Sequence, residues 1–240
     1  MDLSRHISVF NPASVKRPIH IIGVGATGSF VAMMLARMGV PVLNIYDFDG
    51  VEIHNVPNQY YDTEDIGKLK IDALDEKLHK INPDITVNKS NAKVTAEDIG
   101  KMEGYIFLLV DSMKVRKELW EAAKNNPNII NVWESRLGSD QARVYSLPIE
   151  KDKDYSKYEQ DFYDDDNAEV SACGTSITVL PIVLQTASLM ITQFIDLVME
   201  KPVVTYFKTI FDNHYNKYEE GWGEKVIVED TVNIPVEEIF

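Results

Sequence analysis

The sequence predicts an α/β fold: a mostly parallel sheet with an antiparallel extension and helices on both faces. Three observations carry this expectation. Short apolar runs rich in branched residues, at 19–24, 42–46 and 105–110, are too short for helices and read as buried strands. Between them lie stretches with apolar residues at helical spacing, such as Phe30, Met33, Met34, Ala36 and Met38. The first run leads straight into Gly23-Val-Gly25-Ala-Thr-Gly28, a glycine turn between a strand and a helix.

Taken in order, residues 1–17 form an arm before the first strand, carrying Arg5. The helix expected over 29–38 stops at Gly39. The second strand ends in Asp47-Phe48-Asp49. A second helix turns Ile71, Leu74 and Leu78 inward, and a solvated face would hold Lys68, Lys70, Lys77 and Lys80. Strand 85–88 follows, then strand 105–110, which ends at Asp111. Asp111 reads either as the N-cap of the helix around 115–123 or as a metal ligand at a strand end. Strands at 129–133 and 142–147 flank a turn at Gly138, with Trp133 expected in the core and Arg136 on the surface. Residues 150–176 are acidic and read as a mobile solvated loop, although Tyr155, Tyr158, Phe162 and Tyr163 suggest that it orders against something. The apolar stretch 177–199 is interrupted by Pro181, Gln185, Gln193 and Asp196, and reads as a buried or interface helix rather than a membrane span. Strands are expected at 203–211 and 225–228, with a loose acidic tail over 232–240.

The strand, glycine turn, helix, strand and acid together point to a nucleotide. The glycines serve a tight turn, close approach to phosphate and close helix packing. The helix N-terminus offers N–H groups and a positive dipole end to an anion. Asp47, about twenty residues beyond Gly28, stands where a carboxylate accepts from ribose hydroxyls.

Composition narrows the classes. The net charge of −14 disfavours nucleic acid and anionic membranes, and no basic cluster offsets it. The single cysteine, Cys173, excludes an internal disulfide and a multi-cysteine zinc site, so no zinc is expected. Cys173 reads as a small buried hydrophobe, or as a thiol that could carry an acyl group as a thioester. The five histidines lack metal-ligand spacing. The N-terminus has no secretory pattern, and a cytoplasmic location is the expectation.

The run Asp47-x-Asp49-x-Val51-x-x-x-Asn55-x-x-Asn58-Gln59, then Gly67-x-x-Lys70, then Asn82-Pro83, resembles the ThiF/MoeB/HesA family, bacterial relatives of ubiquitin-activating enzymes. Asp111-Ser-Met-Lys-Val-Arg116 resembles that family's D-N-x-x-x-R. The resemblance implies a Rossmann-like adenylation domain over about residues 1–200, with a flexible crossover loop at about 150–172. Residues 201–240 would then be a β extension and acidic tail of the same domain. It implies ATP and Mg²⁺, the latter on Asp111. Gly23, Gly25, Ala26, Thr27, Gly28, Asp47, Asp49, Asn55, Gln59 and Lys70 would surround the nucleotide, although Asp49 also reads as a turn-shaping residue. Arg5 would reach the phosphates of a partner subunit in a homodimer. The implied acceptor is the C-terminal carboxylate of a ubiquitin-like or sulfur-carrier protein, or of a peptide. Two positions depart from the pattern: Ala26 stands where relatives carry another glycine, and Asn58 where they carry an arginine. The second departure leaves His54 or Lys68 as substitute cations, or else a catalytically silent nucleotide- or partner-binding protein. A nicotinamide-dependent dehydrogenase is the remaining alternative, with no hydride-transfer site in view.

Overall fold

A computed structural model describes residues 1–138, 141–164, 178–212 and 215–220. The strands are β1 (Ile19–Ile22), β2 (Val42–Tyr46), β3 (Thr86–Ser90), β4 (Gly104–Leu108), β5 (Ile129–Leu137), β6 (Gln141–Pro148), β7 (Tyr206–Asp212) and β8 (Tyr215–Glu220). They form one sheet in the order β3-β2-β1-β4-β5-β6-β7-β8. Pairings among β1 to β5 are parallel, and those from β5 to β8 are antiparallel. The expected architecture is therefore present. Strand β8 was not foreseen, because nothing in its local pattern distinguishes it from loop.

The helices are α1 (Ala26–Arg37), α2 (Lys70–Ile81), α3 (Ala96–Lys101), α4 (Met113–Lys124), α5 (Ser156–Glu159) and α6 (Leu180–Val198). Successive strand residues face opposite layers. Ile21 and Phe107 join a core with Leu35, Leu74 and Phe194 from α1, α2 and α6. Ile22, Ile106 and Leu108 join a second core with Ile99, Leu119 and Trp120 from α3 and α4. Burial on both faces explains why the central strands read as unbroken apolar runs. Trp133 is fully buried, with its ring 4.9 Å from Phe107 and edge-on to Phe194.

Several boundaries move. Helix α1 begins at Ala26, three residues before the expected start, because Gly28 belongs to its first turn. Helix α3 was not expected, although Thr95 and Asp98 form a capping box at its start. Helix α6 is long and apolar enough to cross a membrane by length and composition alone. Here its Ile182, Val183, Ala187, Met190 and Phe194 pack in the core. The alternative reading of α2, a solvated lysine face, fails at two positions. Lys70 is buried, and Lys77 is held by Asp62 and Asp65. The expected surface position of Arg136 is also corrected. Period two places Glu134 and Arg136 on one face of β5, where residues 155–162 cover them. Cys173, strand 225–228 and tail 232–240 lie outside the described residues.

Trp133→Ala should cost about 3–5 kcal/mol, since a large buried ring is lost and the cavity collapses only partly. Trp133→Phe should cost much less, because it keeps the stack and removes a buried Nε1 that has no partner. Urea unfolding of the two variants measures the difference.

Candidate functional site

The crevice opens where β1 ends. With β2 on one side and β4 on the other, the connections leave to opposite faces, and ligands bind at such a point. Gly23 has φ of +91°, and a Cβ there would lie 2.5 Å from the Leu109 carbonyl oxygen. A Cβ on Gly28 would lie 2.0 Å from the Gly23 carbonyl oxygen. Both glycines are thus fixed by backbone meeting backbone. Gly25 differs: the nearest atoms to a Cβ there belong to the Gln59 amide, at 3.9 and 4.0 Å. Space is left above it.

Gly25 is the N-cap of α1 and provides no side-chain cap, and the first turn carries no acidic residue. The N–H groups of Ala26, Thr27 and Gly28 therefore have no partner within the helix. Ser29 is the first residue to close a helical bond, to the Gly25 carbonyl at 3.1 Å. An anion resting over Gly25 would meet these donors.

Asp47 braces the turn from β2. Its Oδ2 accepts from the Val24 N–H and its Oδ1 from the Asp49 N–H, each at 2.9 Å. A carboxylate has about four acceptor sites, so both oxygens can still receive ribose hydroxyls. Burial pushes the Asp47 carboxyl up, and the two N–H bonds and Lys70 offset only part of that shift.

Lys70 opens α2. Its Nζ lies 3.0 Å from the Asp49 Oδ2, and its N–H donates to the Asp49 carbonyl at 2.9 Å. Tyr61, which is buried, joins this end of α2 to the glycine turn. Its hydroxyl lies 2.8 Å from the Val24 carbonyl oxygen and 3.3 Å from that of Lys70. Sequence reasoning missed Tyr61, and no local pattern marks it.

The stretch from Asp47 to Leu69 is mostly irregular but tied throughout. Gly50 bridges to Leu69, Val51 N–H donates to Lys68, and Gly67 N–H donates back to Val51. Asn55 is buried and its Oδ1 accepts from the Glu52 N–H at 2.8 Å, so its carbonyl end shapes the loop. Asn58 Oδ1 and Gln59 Oε1 are buried without hydrogen-bond partners. Of the two substitute cations, Lys68 pairs with Asp65 and Glu76, and exposed His54 lies 3.5 Å from Glu52.

Asp111 follows the Leu109–Val110 backbone that packs on Gly23. Ser112, not Asp111, caps α4, through Val115 N–H, which corrects the capping alternative. Asp111 itself is exposed at the crevice mouth. Among the described residues no three metal-ligating side chains converge. One carboxylate still suits Mg²⁺, which takes one or two from protein and the rest from phosphate and water. The structure thus brings Gly23, Gly25, Ala26, Thr27, Gly28, Asp47, Asp49, Gln59, Lys70 and the Asp111 loop together. It does not bring Arg5. Leu3 packs on Gly39 beyond the far end of α1, about 18 Å from the crevice at 1.5 Å per residue, and Arg5 is exposed in the turn that follows.

The family model described as "ThiF family" matches residues 14–225. A ubiquitin-like modifier-activating enzyme 5 from Bombyx mori is 35% identical over 99 residues, covering 41% of this chain and 25% of that one. A tRNA threonylcarbamoyladenosine dehydratase from Haemophilus influenzae is 28% identical over 153 residues, covering 60% and 59%. The chain thus spans about a quarter of the first relative's length. E. coli MccB, solved with AMPCPP and MccA, superposes with a TM-score of 0.72 at 17% identity, over 90% of this chain and 67% of that one. PaaA gives 0.68 at 22%, over 91% and 68%. At these identities the solved structures establish the fold.

Gly25→Ala should keep the fold yet weaken nucleotide binding at least about tenfold, while Gly28→Ala should destabilise the chain itself. Calorimetric titration with ATP beside a thermal melt separates the two. Nucleotide binding should also weaken on acidification, starting above the ordinary aspartate midpoint of about 3.9. Asp47 is protonated early and then stops accepting as an anion. A titration series across pH, with Asp47→Asn as the flat control, checks this.

Proposed function

Since the chain belongs to the ThiF family, we propose that it is an ATP-dependent adenylyltransferase acting on a carboxylate. One observation carries the reading. The Tyr61 hydroxyl joins Val24 to Lys70, and the Asp111 loop packs on Gly23, so lysine, glycine turn and strand-end acid share one crevice.

In the proposed reaction a carboxylate oxygen of the acceptor attacks the α-phosphorus of ATP. The bond from that phosphorus to the bridging oxygen breaks, and pyrophosphate leaves with the electron pair. The product is an acyl adenylate. This chemistry needs the reactants held in line and positive charge spread over the phosphates. Asp47 holds the ribose, and the first turn of α1 receives phosphate oxygens. Lys70, displaced from Asp49, neutralises the leaving group. Mg²⁺ bound at Asp111 would add charge stabilisation there. Asn58 adds a neutral amide where the family pattern has a cation, so Lys70 carries more of the task, and Arg5 of another copy and Mg²⁺ held at Asp111 would share it.

We further propose that the acceptor is a protein or peptide C-terminus. By its name, the Bombyx mori relative activates a ubiquitin-like modifier, and MccB has been solved with MccA bound. The tRNA-directed relative offers another acceptor class, but a net charge of −14 disfavours a polyanionic partner. A homodimer fits the placement of Arg5, which could serve a crevice only in another copy. The second reading, a silent nucleotide-binding protein, is favoured by Asn58 alone.

ATP–pyrophosphate exchange with candidate acceptor peptides is the test. Lys70→Ala and Asp111→Ala should each lower exchange by about 10²–10³, the scale of losing one transition-state charge partner. Nucleotide binding without exchange under any acceptor would favour the silent reading.

A further inference from the structure

Behind the crevice lies a buried charge cluster that the proposed chemistry does not use. Glu134 on β5 is fully buried. Its carboxylate accepts from the guanidinium of Arg116 on α4, from Arg136 Nε at 3.0 Å and Nη2 at 3.2 Å, and from the hydroxyl of Tyr158 on α5. Burial pushes the Glu134 carboxyl up, but the two guanidinium groups outweigh it and keep the group ionised. Each partner has a second attachment. Arg116 also donates to the Val110 carbonyl, the residue before Asp111, and to the Ser135 carbonyl at 2.9 Å. Arg136 donates to the Asp161 carbonyl, and its guanidinium lies over the rings of Tyr145, Tyr158 and Phe162 at 4.8, 5.3 and 5.1 Å. Tyr145 donates to the Asp161 carboxylate at 2.6 Å.

One carboxylate is therefore the common anchor of two structures far apart in sequence: the loop presenting Asp111, and the acidic segment 155–162. We propose that Glu134 is a positioning residue that couples them, so that filling the crevice and seating the segment favour one another. This rests on the reading of Asp111 as part of the nucleotide site. Physically, the Arg116 guanidinium that holds the Val110 carbonyl is itself held by Glu134, its one charged partner among the described residues, and by the Ser135 carbonyl. Glu134 in turn is fixed by Tyr158 from the segment itself and by Arg136, which the segment holds through the Asp161 carbonyl. A buried cluster of this kind has few alternative arrangements, because any partner that leaves strands a charge. Coupling between two sites is reciprocal, so a segment steadied by nucleotide must strengthen nucleotide binding by the same factor.

The test is limited trypsin digestion of the full chain, reading cleavage after Lys151 and Lys157 by mass spectrometry. It is run with and without Mg²⁺ and α,β-methylene-ATP, and analogue affinity is measured by calorimetry. In the unaltered chain the analogue should slow cleavage by about fivefold or more. Tyr158→Phe removes one hydroxyl and keeps the ring among Trp120, Tyr145 and Phe162. It should erase most of that ratio and lower analogue affinity by a matching factor, while the thermal midpoint falls by only several degrees, the scale of one lost hydrogen bond to a buried carboxylate. Glu134→Gln should do the same more strongly, and if it does not fold Tyr158→Phe still decides. A purely structural cluster would change the basal cleavage rate and leave the nucleotide ratio alone. That result overturns the proposal, as does an unaltered chain that binds the analogue with no protection of the segment. A chain that takes up no analogue overturns the adenylation reading first and this coupling with it, and calorimetry reports that outcome separately.

Discussion

Three backbone segments meet at the end of β1 with no room for a side chain between them. Gly23 lies against the Leu109–Val110 backbone, and Gly28 lies against Gly23. Everything functional is hung on that contact. It brings the first turn of α1 close under β1, so three N–H groups open upward without partners. It seats the β4–α4 loop beside the turn and so places Asp111 at the mouth. It also leaves Val24 positioned to be gripped twice, its N–H by Asp47 and its carbonyl by Tyr61. A methyl at position 23 or 28 would separate these segments before it touched any ligand.

The electrostatics of the crevice follow from this crowding. Asp47 and Asp49 flank the buried ammonium of Lys70, which is already paired with Asp49, and Asp111 adds a third carboxylate at the mouth. Such a site holds its own carboxylates apart poorly until cations or N–H donors arrive. Burial raises the Asp47 carboxyl despite two N–H bonds and Lys70, and the neighbouring Asp49 charge adds a smaller push in the same direction. The glycine turn supplies donors without side chains, and this is how the site accepts a polyanion with so few basic residues of its own.

Much of this was legible in the sequence because its signals are local. A branched run, a glycine spacing and an acid at a strand end need no tertiary partner to be recognised. The Gly67-x-x-Lys70 spacing, read through the family resemblance, likewise set the lysine among the nucleotide residues. What was not legible depends on distant partners. Tyr61 matters only because Val24 and Lys70 come together around it. Arg136 looks like any solvated arginine until Glu134, two residues earlier, turns to the same side and Tyr158 closes over both. Asp111 and Ser112 are equally good caps on paper, and backbone geometry alone chose the serine. The aromatic residues of the acidic segment were the one long-range signal that could be read, since such rings seldom stay in water.

The irregular stretch between β2 and α2 carries a last consequence. Loops of that length ordinarily fluctuate, and a ligand that must freeze one surrenders affinity to the lost disorder. Here the Gly50–Leu69 bridge, the Val51 bonds to both Lys68 and Gly67, and Lys77 clamped on Asp62 and Asp65 immobilise the stretch before anything binds. That wall of the crevice meets its ligand already set, and contact energy is not drained into stiffening it.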